Sequence, residues 1–165
     1  MRRIISFFLT IALAAGIYIP AASAAAGSTS GWGIGRSGTL EAAAELDNSV
    51  YKSGKASLKL SRKTPYKSNV YMNLEQSVPA EEGKTYQYGF WAKAKNINSI
   101  STLINWGARA YLNPVSNTYD WTYFSFKYTH TGASGYVAFK IIVDGPATAF
   151  WVDDFEFCEY NDGVK

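Results

Sequence analysis

The chain has 165 residues, with 16 Lys+Arg, 13 Asp+Glu, one His and one Cys. That length fits a single domain, and 47% hydrophobic with 18% charged residues excludes a disordered or collagen-like chain. A lone Cys158 excludes an internal disulfide framework and a thiolate zinc cluster; a lone His130 argues against histidine-rich metal sites and Ser-His or Cys-His catalysis.

The chain opens with Met1-Arg2-Arg3, an apolar stretch from Ile4 to Pro20, and Ala21-Ala22-Ser23-Ala24. A basic start, an apolar middle and a small-residue exit predict a secretory signal peptide over 1–24, cleaved after Ala24. The apolar part is short for a spanning helix of about 20 residues. Losing Arg2 and Arg3 leaves 14 basic residues against 13 acidic, a net charge of +1. No clustered basic face remains for nucleic acid. Cys158 is expected to pack on a strand; an intermolecular link through it is the sharper alternative.

Residues 25–37 are rich in Ala, Gly and Ser and read as a linker or irregular start, broken by Trp32 and Ile34. From 38 to 160, Tyr-, Phe-, Val-, Ile- and Thr-rich segments alternate with turn clusters, and 161–165 read as a tail. Strands are predicted at 39–47, 56–62, 69–78, 84–95, 99–111, 120–130, 135–144 and 148–159. About eight strands with no amphipathic helix indicate an all-β antiparallel sandwich or barrel.

Period-two alternation assigns faces. Tyr86, Tyr88, Phe90, Ala92 and Ala94 oppose Gln87, Trp91 and Lys93; Val137, Phe139, Ile141 and Val143 oppose Tyr136, Lys140 and Asp144. The non-core faces mix aromatic, amide and charged groups. Such a surface suits a sugar, whose C–H face lies on an aromatic ring while its hydroxyls meet polar neighbours. Aromatic residues also favour strands as such, so an ordinary sheet face is an equal reading of the pattern.

Four segments in order resemble the CenC-like carbohydrate-binding modules of the 4/9/22 type. They are Ser53-Gly54-Lys55-Ala56-Ser57-Leu58-Lys59-Leu60; Gly83-Lys84-Thr85-Tyr86 running into Phe90-Trp91-Ala92-Lys93-Ala94; Trp121 before a strand; and Phe150-Trp151-Val152-Asp153-Asp154-Phe155. The resemblance covers about residues 50–158. It implies a jelly-roll β-sandwich that binds a polysaccharide chain, such as xylan or β-glucan, without chemistry of its own, secreted and accessory to glycoside hydrolysis.

The resemblance also points to site residues. Tyr66, after the strand end at Arg62, matches a stacking aromatic; Tyr111 is the nearest match to a second. Asp144, before Gly145-Pro146, stands where the family has a longer acid. Trp91 is a platform candidate from its polar face, and Tyr136 and Lys140 share the face of Asp144. Arg109 is placed to meet a sugar hydroxyl or to pair with a carboxylate. Trp106, Trp121 and Trp151 are expected to be structural. Asp153-Asp154 resembles the family's structural calcium site, to which hard oxygen ligands are suited. The usual opening strand with its partner acid is missing here, leaving Glu41 or Glu45 as substitutes. The rival reading of the two acids is a strand bulge at a sheet edge.

No cofactor is required on this reading. The expected partner is a polysaccharide or oligosaccharide, with no nucleic acid and no membrane after leader cleavage, and the protein is expected to be a secreted, extracellular monomer. Two alternatives stay open: a protein-interaction or envelope-surface sandwich, and a small glycosidase or lyase using Glu75 and Asp144. Glycoside hydrolysis needs two carboxylates roughly 5–10 Å apart.

Overall fold

The computed structural model describes residues 32–36, 42–67, 71–104, 108–112, 117–146 and 149–160. They form ten strands: β1 (Gly33–Arg36), β2 (Ala42–Asp47), β3 (Ser57–Arg62), β4 (Tyr71–Pro79), β5 (Thr85–Lys95), β6 (Ser99–Ile104), β7 (Ala108–Leu112), β8 (Tyr119–Thr129), β9 (Tyr136–Asp144) and β10 (Ala149–Glu159). Two five-stranded antiparallel sheets result, ordered β1-β4-β9-β6-β7 and β2-β3-β10-β5-β8. The fold is the all-β sandwich expected from the sequence, with two strands more than predicted. The segment 99–111 divides into β6 and β7, and β1 lies within the stretch read as a linker.

The extra first strand has a physical reason. Gly33–Arg36 pair with Met72–Glu75 of β4, giving that strand a partner on its open side. Trp32 then packs edge-on against Phe155 at 5.2 Å between ring centroids, which anchors the segment to the core. Short, glycine-rich and nearly free of alternation, this segment carries too little pattern to be read as a strand. The expected leader over 1–24, the expected tail over 161–165 and Trp106 lie outside the described residues.

Alternation builds the core as the sequence requires. Met72, Leu74, Val78, Phe139, Ile141 and Val143 from one sheet face Leu58, Leu60, Tyr88, Phe90, Val152 and Phe157 from the other, all almost wholly buried. Burying each large apolar side chain contributes about 1.5–3 kcal/mol. Phe139 joins the layers, with its ring 4.7 Å from that of Tyr88 and 5.0 Å from that of Phe155. The register of β10 on β5 shifts between Asp153 and Glu156. Asp154 takes a positive φ of 46° there. The adjacent acids therefore do mark a bulge, in a central strand rather than at an edge.

Candidate functional site

Each sheet has one face turned away from the core, and the two differ in chemistry. On the β2-β3-β10-β5-β8 sheet Trp91, Trp151 and Tyr123 are engaged with their neighbours. Trp91 is half-buried with the Lys52 ammonium 4.2 Å from its ring centroid. The Trp151 indole N–H donates to Asp47 Oδ2 at 3.0 Å. The Tyr123 hydroxyl donates to Glu156, and the ring passes so close over Gly89 that a β-carbon there would collide with it. A ligand on this face would have to displace these contacts.

The other sheet presents a different surface. Strand pairing aligns positions in rows across β4, β9, β6 and β7. Tyr71, Asp144 and Ser99 form one row; Asn73, Ile142, Ser101 and Tyr111 the next; Glu75, Lys140, Leu103 and Arg109 a third. Tyr136 begins β9 opposite Pro79. Tyr111 and Tyr136 are 63% and 60% exposed, the highest values among the exposed large hydrophobic residues described. Six residues of β9 separate their rows, which at 3.3 Å per residue is about 20 Å.

Between them lies a buried charge pair. Lys140 is only 3% exposed, and its ammonium contacts Glu75 Oε2 at 2.7 Å. Two further polar atoms on this face, Asp144 Oδ1 and Asn73 Nδ2, are buried with no hydrogen-bond partner among the described residues. Buried polar groups are nearly always satisfied, so these two atoms set this face apart from an ordinary strand face.

Tyr66 joins this face from the segment after β3. Its ring lies 5.2 Å from the Arg62 guanidinium carbon, and its hydroxyl accepts a 2.9 Å bond from Asn98 Nδ2. The main-chain N–H of Asn98 donates to the Asp144 carbonyl at 2.8 Å. Tyr66 and Asp144 are thus tied to one end of the sheet. Of the residues singled out in the sequence, Tyr111, Asp144, Tyr136 and Lys140 lie on strands of this sheet, Tyr66 is tied to its Asp144 end through Asn98, and register places Arg109 in the Lys140 row. Trp91 does not join them. It sits on the opposite side of the sandwich, because β5 belongs to the other sheet.

Asn98, Asn73 and Tyr71 carry no sequence signal of a site role. Asn98 lies in a polar turn like any other, and Asn73 and Tyr71 are indistinguishable by alternation from a solvated strand face. Glu75 was visible as a non-core acid, but its pairing with Lys140 depends on the β4–β9 register.

Asp153 has a different task. It is 1% exposed; its Oδ2 accepts from the N–H groups of Lys52 and Ser53 at 2.7 and 3.1 Å, and its Oδ1 from that of Asp154 at 2.9 Å. Burial nevertheless pushes its carboxyl up from the ordinary value. Three N–H dipoles direct their positive ends at this carboxylate, an arrangement suited to clamping the β2–β3 loop rather than to holding a cation. Glu45 is turned to Lys59 at 3.4 Å, and Glu41 lies outside the described residues. No group of three or more His, Cys, Asp or Glu side chains placed to hold a metal occurs among the described residues. Among the described residues, the Asp153 carboxylate is committed to backbone N–H donors.

Comparison with known proteins gives the surface a context. A family model described as a carbohydrate binding domain matches residues 19–148. Among solved structures, one described as CBM4 structure and function is similar at TM-score 0.57 and 25% identity, over 78% of this chain and 86% of that one. The CBM22-1 xylan-binding domain from Paenibacillus barcinonensis is similar at TM-score 0.58 and 12% identity, over 83% and 90%. The enzymatically active domain of a bacteriophage CBA120 tailspike protein is similar at TM-score 0.58 and 18% identity, but this chain spans only 20% of its length. No curated protein matches the sequence.

Proposed function

The chain belongs to the carbohydrate binding domain family of the 4/9 type, and from that premise we propose that the outward face of the β1-β4-β9-β6-β7 sheet binds a polysaccharide chain, xylan or β-glucan. The observation that carries this reading is the placing of Tyr111 and Tyr136, the two most exposed aromatic rings among the described residues, on one face with the Lys140–Glu75 pair between them. Rings separated by about 20 Å suit an extended chain better than a single sugar. Each ring covers the C–H face of a sugar, while Lys140, Glu75, Asp144 and Tyr66 offer donors and acceptors to hydroxyls. The xylan-binding relative is one reason to place xylan first.

The module acts by binding alone, secreted through the leader 1–24 and accessory to enzymes that cleave the polymer. Glu75 pairs in register with Lys140, four residues along β9 from Asp144, so the two acidic positions lie about 13 Å apart along the strand. Paired glycosidase carboxylates sit roughly 5–10 Å apart, and the Glu75 carboxylate is already held by an ammonium. This supports the non-catalytic reading.

Affinity electrophoresis against soluble xylan, β-glucan, glucomannan and galactan tests it. Xylan or β-glucan is expected to retard the protein, and Tyr111→Ala and Tyr136→Ala to abolish most of the retardation while Trp91→Ala leaves it intact. Retardation that survives both tyrosine changes, or none by any polymer, would refute the assignment.

A further inference from the structure

His130, the single histidine, is fully buried at the end of β8, where 131–135 turn the chain into β9. Its main chain is fixed to the β4–β5 turn: its carbonyl accepts from Gly83 N–H at 2.7 Å and its N–H donates to the Lys84 carbonyl at 2.9 Å. Its ring reaches across the turn, with Nε2 2.6 Å from the Ser134 carbonyl. A carbonyl can only accept, so Nε2 is the donor in this bond. Nδ1 is buried without a hydrogen-bond partner among the described residues. The imidazole is therefore spent on one task, holding Ser134.

Ser134 in turn holds Tyr136. Its hydroxyl donates to the Tyr136 carbonyl at 3.0 Å and accepts from the Tyr136 N–H at 3.2 Å. The need is local: the Ala80–Gly135 bond makes the neighbouring Pro79–Tyr136 position a non-hydrogen-bonded pair, so Tyr136 turns its N–H and carbonyl away from β4, to the side where pairing with β6 stops at Phe139. The next link, Ala80 N–H to the Gly135 carbonyl at 3.0 Å, fixes the turn and not the tyrosine.

We propose that His130 is a positioning residue for ligand binding, acting through Ser134 to hold the main chain from which the Tyr136 ring projects. This rests on the reading that Tyr136 covers a sugar. A ring at the open end of a strand, 60% exposed, would otherwise lose orientational freedom on every binding event.

His130→Leu removes the donor, whereas His130→Gln keeps an N–H near the Nε2 position. Ser134→Ala, at an exposed residue, removes the next link without touching the core. Affinities for soluble xylan and β-glucan, with amide exchange at Tyr136, give the readout. His130→Leu is expected to weaken binding about five- to tenfold and Ser134→Ala about threefold, with faster exchange at Tyr136. His130→Gln should stay within about twofold of the parent. In a Tyr136→Ala background neither His130→Leu nor Ser134→Ala should cause a further loss. Unchanged affinity in a folded His130→Leu protein and in Ser134→Ala would overturn the proposal, as would equal losses with and without Tyr136. A Tyr136→Ala protein that binds as the parent does would remove Tyr136 from the ligand, and this inference with it.

Discussion

Asn98 donates its side-chain amide to the Tyr66 hydroxyl at 2.9 Å. The same residue gives its main-chain N–H to the Asp144 carbonyl, so one asparagine joins an aromatic from the β3–β4 connection to the acidic end of β9. The hydroxyl bond is exposed and contributes about 0.5–1.5 kcal/mol to stability, but it fixes where the Tyr66 ring lies. Asn98→Ala is expected to weaken polysaccharide binding about threefold or more. Its thermal midpoint should shift by a few degrees at most. Affinity electrophoresis and a thermal melt check both, and an affinity equal to the parent's would detach Tyr66 from the site.

The turn beside Asn98 depends on Gly145. Its φ of 126° suits glycine alone, and a β-carbon there would come within 2.9 Å of the Ile97 carbonyl carbon. Gly83, also at positive φ (80°), has open space around its β-carbon position. Gly145→Ala is expected to cost about 3 kcal/mol or more and Gly83→Ala about 1 kcal/mol, because strain and collision add at the first position and strain acts alone at the second. Urea unfolding of the two variants measures the difference; equal losses would refute the packing argument.

Lys140 and Glu75 form an asymmetric pair, with side chains 4% and 37% exposed. Removing the carboxylate charge takes the ion-pair partner from a buried ammonium, whereas replacing both groups removes the buried charge altogether. Glu75→Gln is expected to destabilise by about 2–4 kcal/mol. The double change Glu75→Leu with Lys140→Met should recover most of that while abolishing any hydrogen bonding to sugar from this row. A double-mutant cycle in urea, run beside binding, separates the effects; a double variant as unstable as Glu75→Gln would count against desolvation as the cause.

Acid stability is expected to respond to Asp47. The Ser49 hydroxyl and then the Trp151 indole hold its carboxyl well below the ordinary 3.8, outweighing a small opposing effect of burial. A depressed carboxyl contributes stability that is complete above its unfolded value and lost as the pH falls through its folded one. The parent should therefore lose stability as the pH drops below about 4. Asp47→Asn should be less stable at pH 7 and show a flatter profile below pH 4. Denaturation midpoints between pH 7 and pH 2 test this, and parallel profiles would exclude Asp47 as the source.

Much of this protein was already decided by its sequence. Alternation in 135–144 and 84–95 follows from strand geometry alone, which turns successive side chains to opposite sides. It placed Phe139 and Tyr88 in the core and Tyr136, Lys140 and Asp144 outside it without reference to any other strand. The four ordered motifs identified the family by the same local means. What alternation does not encode is which sheet a strand joins. Trp91 and Lys140 look alike as outward residues, yet β5 pairs with β8 and β10 whereas β9 pairs with β4 and β6, so the two stand on opposite sides of the sandwich. Register is equally non-local: it set Glu75 against Lys140, Pro79 against Tyr136 and Asn98 beside Asp144. Those pairings arise when distant segments share one core, because only there must the buried charge, the main-chain groups of Tyr136 and the close approach at Gly145 all be satisfied at once.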